Sequence, residues 1–249
     1  MPKSTGVRRA GFPLRHSTSF RSPQGIRFRL SNRTTADSPH HLRSQAMWSQ
    51  GGCGLLKRAI FLDRDGTINE EVHYLHSVDK LRVIDGVPEA LRGLKQAGFF
   101  LAVITNQAGI AKGYYSYDAM HAVHQAIQER VGHVIDRFVF CPHHPEGVIP
   151  DLRVVCSCRK PGDGMLTSLA AEARIDLTRS YVVGDKWIDV EAGRRAGCTT
   201  VLVKTGYGSS ELQAGHATCV PDFVAEDLPH AAEWIMARER NLSGKREAV

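Results

Sequence analysis

The sequence contains no uninterrupted apolar run of about 18 residues, so nothing in it reads as a membrane-spanning helix. It is also nearly devoid of acid at its start. Lys3, Arg8, Arg9, Arg15, Arg21, Arg27, Arg29, Arg33 and Arg43 precede Met47 and only Asp37 opposes them, which gives that segment a formal charge of +8. The whole chain carries +6, so the remainder stands near −2. A basic chain normally points to nucleic acid or a membrane surface; here the excess sits in one terminal stretch and the body is mildly acidic, which excludes both as partners of the body. No apolar leader precedes the six cysteines, so a secreted disulfide framework is not expected. Three of the six cluster with histidines, which favours metal binding in a reducing, cytoplasmic compartment.

Residues 1–55 are rich in Arg, Ser, Gly and Pro without a sustained apolar period. Such a stretch buries too little surface to offset chain entropy and is expected to be a disordered basic extension. It reads as a segment upstream of a true start at Met47, as a transit segment, or as a basic arm. Residues 56–240 are expected to form one catalytic domain, and 241–249 a tail.

From Lys57 onward, apolar runs alternate with helical periods. Arg58–Leu62, Phe99–Ile104, Arg137–Phe140, Tyr181–Val183 and Thr200–Val203 read as strands. Val87–Ala97 has apolar residues at helical spacing and ends at Gly98. Ser116 caps a helix to about Arg130; further helices are expected over 164–173, near 189–196, and from after Asp227 to about Arg238. Alternation of this kind predicts a three-layer, Rossmann-like parallel sheet. Ligands bind such sheets at the carboxyl ends of the strands, so the residues just after each strand carry the function.

Asp63-Arg64-Asp65-Gly66-Thr67 follows the first strand. Two carboxylates at i and i+2 can approach one point, one as nucleophile and cation ligand, the other as proton carrier. A phosphate monoester repels an anionic attacker, so a bridging cation such as Mg²⁺ is required. Gly66 lets backbone approach the phosphate. Asp and Gly also favour ordinary turns, and this motif alone decides nothing. Thr105-Asn106, after the second strand, offers a hydroxyl and an amide to phosphoryl oxygens. Lys160 offers a fixed positive charge, and Gly184–Asp189 brings two more acids suited to Mg²⁺. Each signal is modest; their order and placement make them strong together.

Cys141-Pro-His143-His144 and Cys156-Ser-Cys158 form a second pattern. Two close pairs of soft ligands suit a closed tetrahedral Zn²⁺ site, with His144 the alternative to His143. No acid or water position lies within it, so the zinc is expected to be structural and to order the loop beside Arg159 and Lys160. Cys53, Cys198 and Cys219 are expected to be packing residues, as are His121 and His124 unless they lie at the surface.

The set DRDGT, TNQ, RKP and GDKWID resembles the four motifs of the haloacid dehalogenase superfamily. FLDRDGTIN, TNQAGIAKGYY, CPHHPEG and CSCRKP are similar to its sugar-bisphosphate and histidinol-phosphate phosphatases, and the resemblance spans about Arg58 to Val203. It implies a phosphoric monoester hydrolase with Asp63 as nucleophile and Asp65 as acid/base. It further implies Mg²⁺ on Asp63, the backbone carbonyl of Asp65, and Asp185. Thr105, Asn106, Gln107 and Lys160 would hold the phosphoryl group, while Arg159 and the segment Glu71, Val72, His73, Tyr74 would contact the sugar phosphate. The implied substrate is a small sugar bisphosphate, the C7 phosphate of a heptose 1,7-bisphosphate in nucleotide-heptose biosynthesis, with histidinol phosphate as the alternative. Too little chain separates the motifs for a large cap domain. A monomer is expected.

Overall fold

The computed structural model describes residues 56–247, and side chains through 243. The expectations for 1–55 lie outside the described residues. Strand β1 (Ala59–Leu62) is followed by helix α1 (Val87–Gln96), β2 (Phe100–Asn106), the short α2 (Ala108–Ala111), α3 (Tyr117–Arg130) and β3 (Arg137–Cys141). Then come α4 (Gly164–Ala173), β4 (Tyr181–Gly184), α5 (Trp187–Arg195), β5 (Thr199–Val203), α6 (Gly208–Ala214), β6 (Phe223–Ala225) and α7 (Leu228–Glu247). The strands form one sheet in the order β3-β2-β1-β4-β5-β6, with every pairing parallel.

The alternation of strand side chains explains the layers. Ile60, Leu62, Leu101 and Val103 point to one face, where α1, α3 and α7 supply Leu91, Leu94, Val123, Ile127 and Ile235. Ala59, Phe61, Ala102 and Ile104 point to the other, covered by Met165, Leu166 and Leu169 of α4 and Ala192 of α5. A sheet buried on both faces needs apolar residues at consecutive positions, and β1 is fully buried along its length. Cys198 joins the second core and Cys219 a small third one.

Local signals sit where the sequence places them. Ser116 Oγ accepts a hydrogen bond from the Ala119 amide at 3.2 Å and caps α3. Gly98 takes φ +85° just beyond α1, a left-handed position that disfavours a side chain. Helix α7 continues to Glu247 instead of ending near Arg238. Its Glu239 accepts from Arg58 and from the Tyr181 hydroxyl, which ties the helix to the base of the sheet. Among the described residues no helix is long and apolar enough to cross a membrane.

His124 is buried on α3, its ring stacked on Phe138 with centroids 4.7 Å apart. Burial first, then the charge of Arg64, pushes its pKa from 6.5 down to about 3. The unfolded chain takes a proton near pH 6.5 and the folded chain does not until about 3, so stability must fall as pH drops through that window. At pH 5 the loss from this group is about 2 kcal/mol. His124→Phe should flatten that part of the profile in chemical denaturation at pH 7 and pH 5. An unchanged pH slope in the variant would assign the effect elsewhere.

Candidate active site

The chain runs outward from β1 to β2 and β3, then returns to lay β4 on the other side of β1. Strand order therefore reverses between β1 and β4, and the crevice beyond their carboxyl ends is the expected ligand position. Asp63 follows β1 there, and Asp185 follows β4.

Lys160 sits at the centre of this crevice, almost fully buried. Its Nζ donates to Asp63 Oδ1 at 2.7 Å and to the Ile104 carbonyl at 2.9 Å, and lies 2.5 Å from Asp189 Oδ1. Burial alone would favour the neutral amine; Asp189 and Asp63 outweigh it and hold the lysine above its ordinary range. Asp189 divides its oxygens: Oδ1 faces Lys160, while Oδ2 accepts from the Lys186 amide at 3.1 Å at the start of α5. Sequence reasoning grouped both acids of GDKWID with the cation, but Asp189 also serves as the lysine's counter-charge.

Asp185 differs. Its Oδ2 accepts from the Tyr207 amide at 2.9 Å, and its buried Oδ1 has no hydrogen-bond partner. Carboxylate oxygens of Asp63, Asp185 and Asp189 lie within 4.8 Å of one another. Burial, then the charge of Asp63, pushes the Asp185 pKa up to about 8, and burial carries Asp189 up to about 6. Clustered carboxylates with an orphaned buried oxygen suit a hard divalent cation with oxygen ligands, as Mg²⁺ is. Gly66 makes this approach possible. It takes φ +83°, and a Cβ there would lie 2.3 Å from Asp185 Oδ2.

Asp65 is partly exposed on the pocket wall. Burial works against its ionisation, but the Arg64 guanidinium, Asn69 and Gln107 outweigh it and hold the carboxyl below its usual range. Arg64 Nη2 donates to it at 2.8 Å and Asn69 Nδ2 at 3.0 Å. Thr105 Oγ1 accepts from Gln107 Nε2 at 2.8 Å, and Gln107 Oε1 accepts from the Tyr115 hydroxyl at 2.6 Å. Asn106 uses its amide as a clasp, donating to the Lys160 carbonyl and accepting from the Lys160 amide, both at 3.1 Å. Its side chain thus aligns Lys160, and both amide groups are already engaged.

These groups line a cavity of about 280 Å³. Of the segment expected to contact the sugar, Glu71, His73 and Tyr74 are on its wall. Val72 is not; it packs against the core. His73 and Tyr74 have φ of 53° and 59°, a left-handed pair uncommon for non-glycine residues. They are held by His73 Nδ1 to the Tyr207 hydroxyl and by Lys112 Nζ to the Tyr74 hydroxyl, each at 3.1 Å. Lys112, Tyr115, His144, Lys186, Ile188 and Tyr207 also line the cavity and escaped the sequence reading of the site. Lys186 was within reach, since it lies inside GDKWID. Tyr207 follows a strand end, yet no recognisable motif marks it.

The second cluster assembles as the spacing implies. Cys141 Sγ lies 3.5 Å from Cys156 Sγ and 3.3 Å from Cys158 Sγ; His143 Nδ1 lies 3.6 Å from Cys141 Sγ and 3.4 Å from Cys158 Sγ. A tetrahedron with Zn–S near 2.3 Å has edges of about 3.8 Å, so the four donors need only small adjustments to hold one. His144 is not in the group. It lines the active cavity, where burial and then the charges of Arg159 and Lys112 keep its pKa low.

A buried carboxylate held by a buried lysine, beside clustered acids suited to a cation at the switch point of a parallel sheet, is an arrangement fitted to phosphoryl transfer. Residues 157–231 match the HAD-hydrolase-like family. The D-glycero-D-manno-heptose-1,7-bisphosphate 7-phosphatase of Thermosynechococcus vestitus is 45% identical over 186 residues, covering 71% of this chain and 94% of that protein. The D-glycero-beta-D-manno-heptose-1,7-bisphosphate 7-phosphatase of Escherichia coli K12 is 42% identical over 177 residues, covering 70% and 92%. The crystal structure of D,D-heptose 1,7-bisphosphate phosphatase from B. bronchiseptica, complexed with magnesium and phosphate, is similar with a TM-score of 0.65 and 32% identity, covering 73% of this chain and 99% of that one. The chain belongs to the heptose-1,7-bisphosphate 7-phosphatase family of haloacid dehalogenase-like phosphatases, and it is an enzyme that hydrolyses phosphate esters.

Proposed function

We propose that this chain removes the C7 phosphate from D-glycero-D-manno-heptose 1,7-bisphosphate through an aspartyl-phosphate on Asp63. The observation that carries the reading is the buried Lys160–Asp63 contact at 2.7 Å beside the orphaned Asp185 oxygen. Asp63, Asp185 and the Asp65 carbonyl would hold Mg²⁺, which would supply charge neutralisation for the attack of a carboxylate on an anionic ester. Asp63 attacks phosphorus, and the bond to the C7 oxygen breaks. Asp65 gives that oxygen its proton, then takes one from the water that attacks the phosphoryl group, and the Asp63–phosphorus bond breaks. The proton that Asp65 takes in the second step is the one it gives in the first step of the next turnover, and between the two Arg64 stabilises its ionised form. Lys160 balances charge on Asp63 and the phosphoryl oxygens throughout, and Thr105 orients Gln107 beside Asp65.

Cys141, His143, Cys156 and Cys158 would hold Zn²⁺, which would order the loop that delivers Arg159 and Lys160. A reduced Cys/His cluster fits a cytoplasmic setting. Cys156→Ser should lower zinc content by elemental analysis and raise KM about tenfold or more with a smaller change in kcat, because ordering each loop residue costs about 1–2 kcal/mol. Full activity in a zinc-free variant would remove the structural role of the metal.

Phosphate release from the heptose bisphosphate and from histidinol phosphate, each with and without Mg²⁺, tests the whole proposal. Magnesium-dependent turnover of the bisphosphate in clear excess is expected; preference for histidinol phosphate would overturn it.

A further inference from the structure

Strand β5 lies beside β4, and the chain leaves it through a turn over residues 205–208, closed by the Gly208 amide donating to the Thr205 carbonyl at 2.9 Å. This turn reaches both sides of the acid cluster. Thr205 Oγ1 donates to the Gly66 carbonyl at 2.6 Å, after β1, and the Tyr207 amide donates to Asp185 Oδ2 at 2.9 Å, after β4. Gly206 stands between them at φ +55°, and a Cβ there would lie 2.3 Å from Asp185 Oδ2 and 2.6 Å from the Gly66 Cα. Two glycines from different strand ends thus close on one carboxylate oxygen, and neither position has room for a side chain.

The three groups assigned to the cation are each held from behind. Asp63 is held by Lys160. The Asp65 carbonyl shares a planar peptide with the Gly66 amide, and that amide donates to the Asn69 carbonyl at 2.7 Å, which fixes the direction of the plane. Thr205 then fixes the next carbonyl along, that of Gly66. A carboxylate turns readily about its last torsion, but the Tyr207 amide and the two glycines hold Asp185 by Oδ2 and leave the buried Oδ1 as the oxygen without a partner. One turn therefore sets the spacing between the backbone after β1 and the acid after β4. Magnesium tolerates little departure from octahedral geometry, so that spacing governs how well it binds.

We propose that the 205–208 turn positions the cation ligands, with Thr205 and Gly206 as its determining residues, so that affinity for a divalent cation depends on a hydroxyl that is not itself a ligand. The inference rests on Asp63, the Asp65 carbonyl and Asp185 holding the cation, and it adds the residues that space them. Partners behind metal ligands commonly contribute about 10- to 100-fold in metal affinity.

The test follows Mn²⁺, a paramagnetic ion that also prefers oxygen ligands, by electron paramagnetic resonance in the wild type, Thr205→Val, Thr205→Ser and Gly206→Ala. Thr205→Val keeps the shape and removes the donor, so its dissociation constant should rise about tenfold or more with Tm close to wild type. Thr205→Ser keeps the hydroxyl and should recover most of the affinity. Gly206→Ala should bind more weakly still, because its Cβ displaces Asp185 and its φ disfavours a side chain. The Mg²⁺ concentration for half-maximal phosphate release should rise in the same order, while kcat of Thr205→Val at saturating Mg²⁺ should change less. Wild-type Mn²⁺ affinity in folded Thr205→Val or Gly206→Ala would overturn this inference alone, as would equal losses in Thr205→Val and Thr205→Ser. A wild-type protein that binds no Mn²⁺ would overturn both the inference and the cation assignment beneath it.

Discussion

Asp63→Asn should lower kcat by at least about 10³- to 10⁴-fold, the scale reached when one member of a catalytic unit is removed, and leave the fold intact. The amide is a poor nucleophile, so no phosphoryl bond forms at this position. The structural consequence is small for a specific reason. Asp63 is one of three clustered acids, two of which pair with Lys160, and its charge contributes to the raised pKa of Asp185. Removing it relieves repulsion while Lys160 keeps Asp189 at 2.5 Å. Thermal unfolding should shift little, and a variant that turns over near the wild-type rate would remove covalent catalysis at this residue.

Lys160→Met should be damaging in both respects. Lys160 is 3% exposed and is the ion-pair partner of two buried carboxylates. Breaking a buried pair by removing one partner costs about 3–5 kcal/mol. The lower end is expected, because Asp189, already lifted to about 6, can take up a proton once the lysine is gone. For a domain of this size about 3 kcal/mol corresponds to roughly 6–12 °C in Tm. Activity should fall with it, since the charge facing Asp63 and the phosphoryl oxygens is lost. A Tm within a degree or two of wild type would show that the acids do not need the lysine.

Much of the fold was legible because its signals are local. Strands β1, β2, β4 and β5 are continuous apolar runs, as strands buried on both faces must be, and Ser116 and Gly98 mark helix ends by their own chemistry. Strand β6 was not visible. Phe223–Ala225 is three residues long and lies at the sheet edge, too short to show a period. Helix α6, with the sequence GSSELQA, has only one buried residue and no apolar stripe to betray it.

The site divides in the same way. Asp63, Asp65, Asp185, Lys160 and the Cys/His cluster lie in or beside short motifs at strand ends, where residue type and spacing together limit the chemistry. Lys112, His144 and Tyr207 become parts of the site only through folding. Lys112 is brought in by the loop's bonds to the Ala111 carbonyl, and Tyr207 by its amide bond to Asp185 and its hydroxyl contact with His73. Asn106 shows the converse: its place in the motif is plain, yet its amide groups are engaged by the Lys160 backbone, which only the tertiary structure reveals.

The most direct measurement is acid quenching of the enzyme during steady-state turnover of the heptose bisphosphate with Mg²⁺, followed by mass spectrometry of the digested protein. The peptide containing Asp63 should carry the mass of one phosphoryl group, which should decay at a rate no slower than turnover once substrate is exhausted and be absent from Asp63→Asn. Active enzyme whose phosphoryl group is found on a different residue, or an Asp63→Asn variant that still turns over, would contradict covalent catalysis at Asp63.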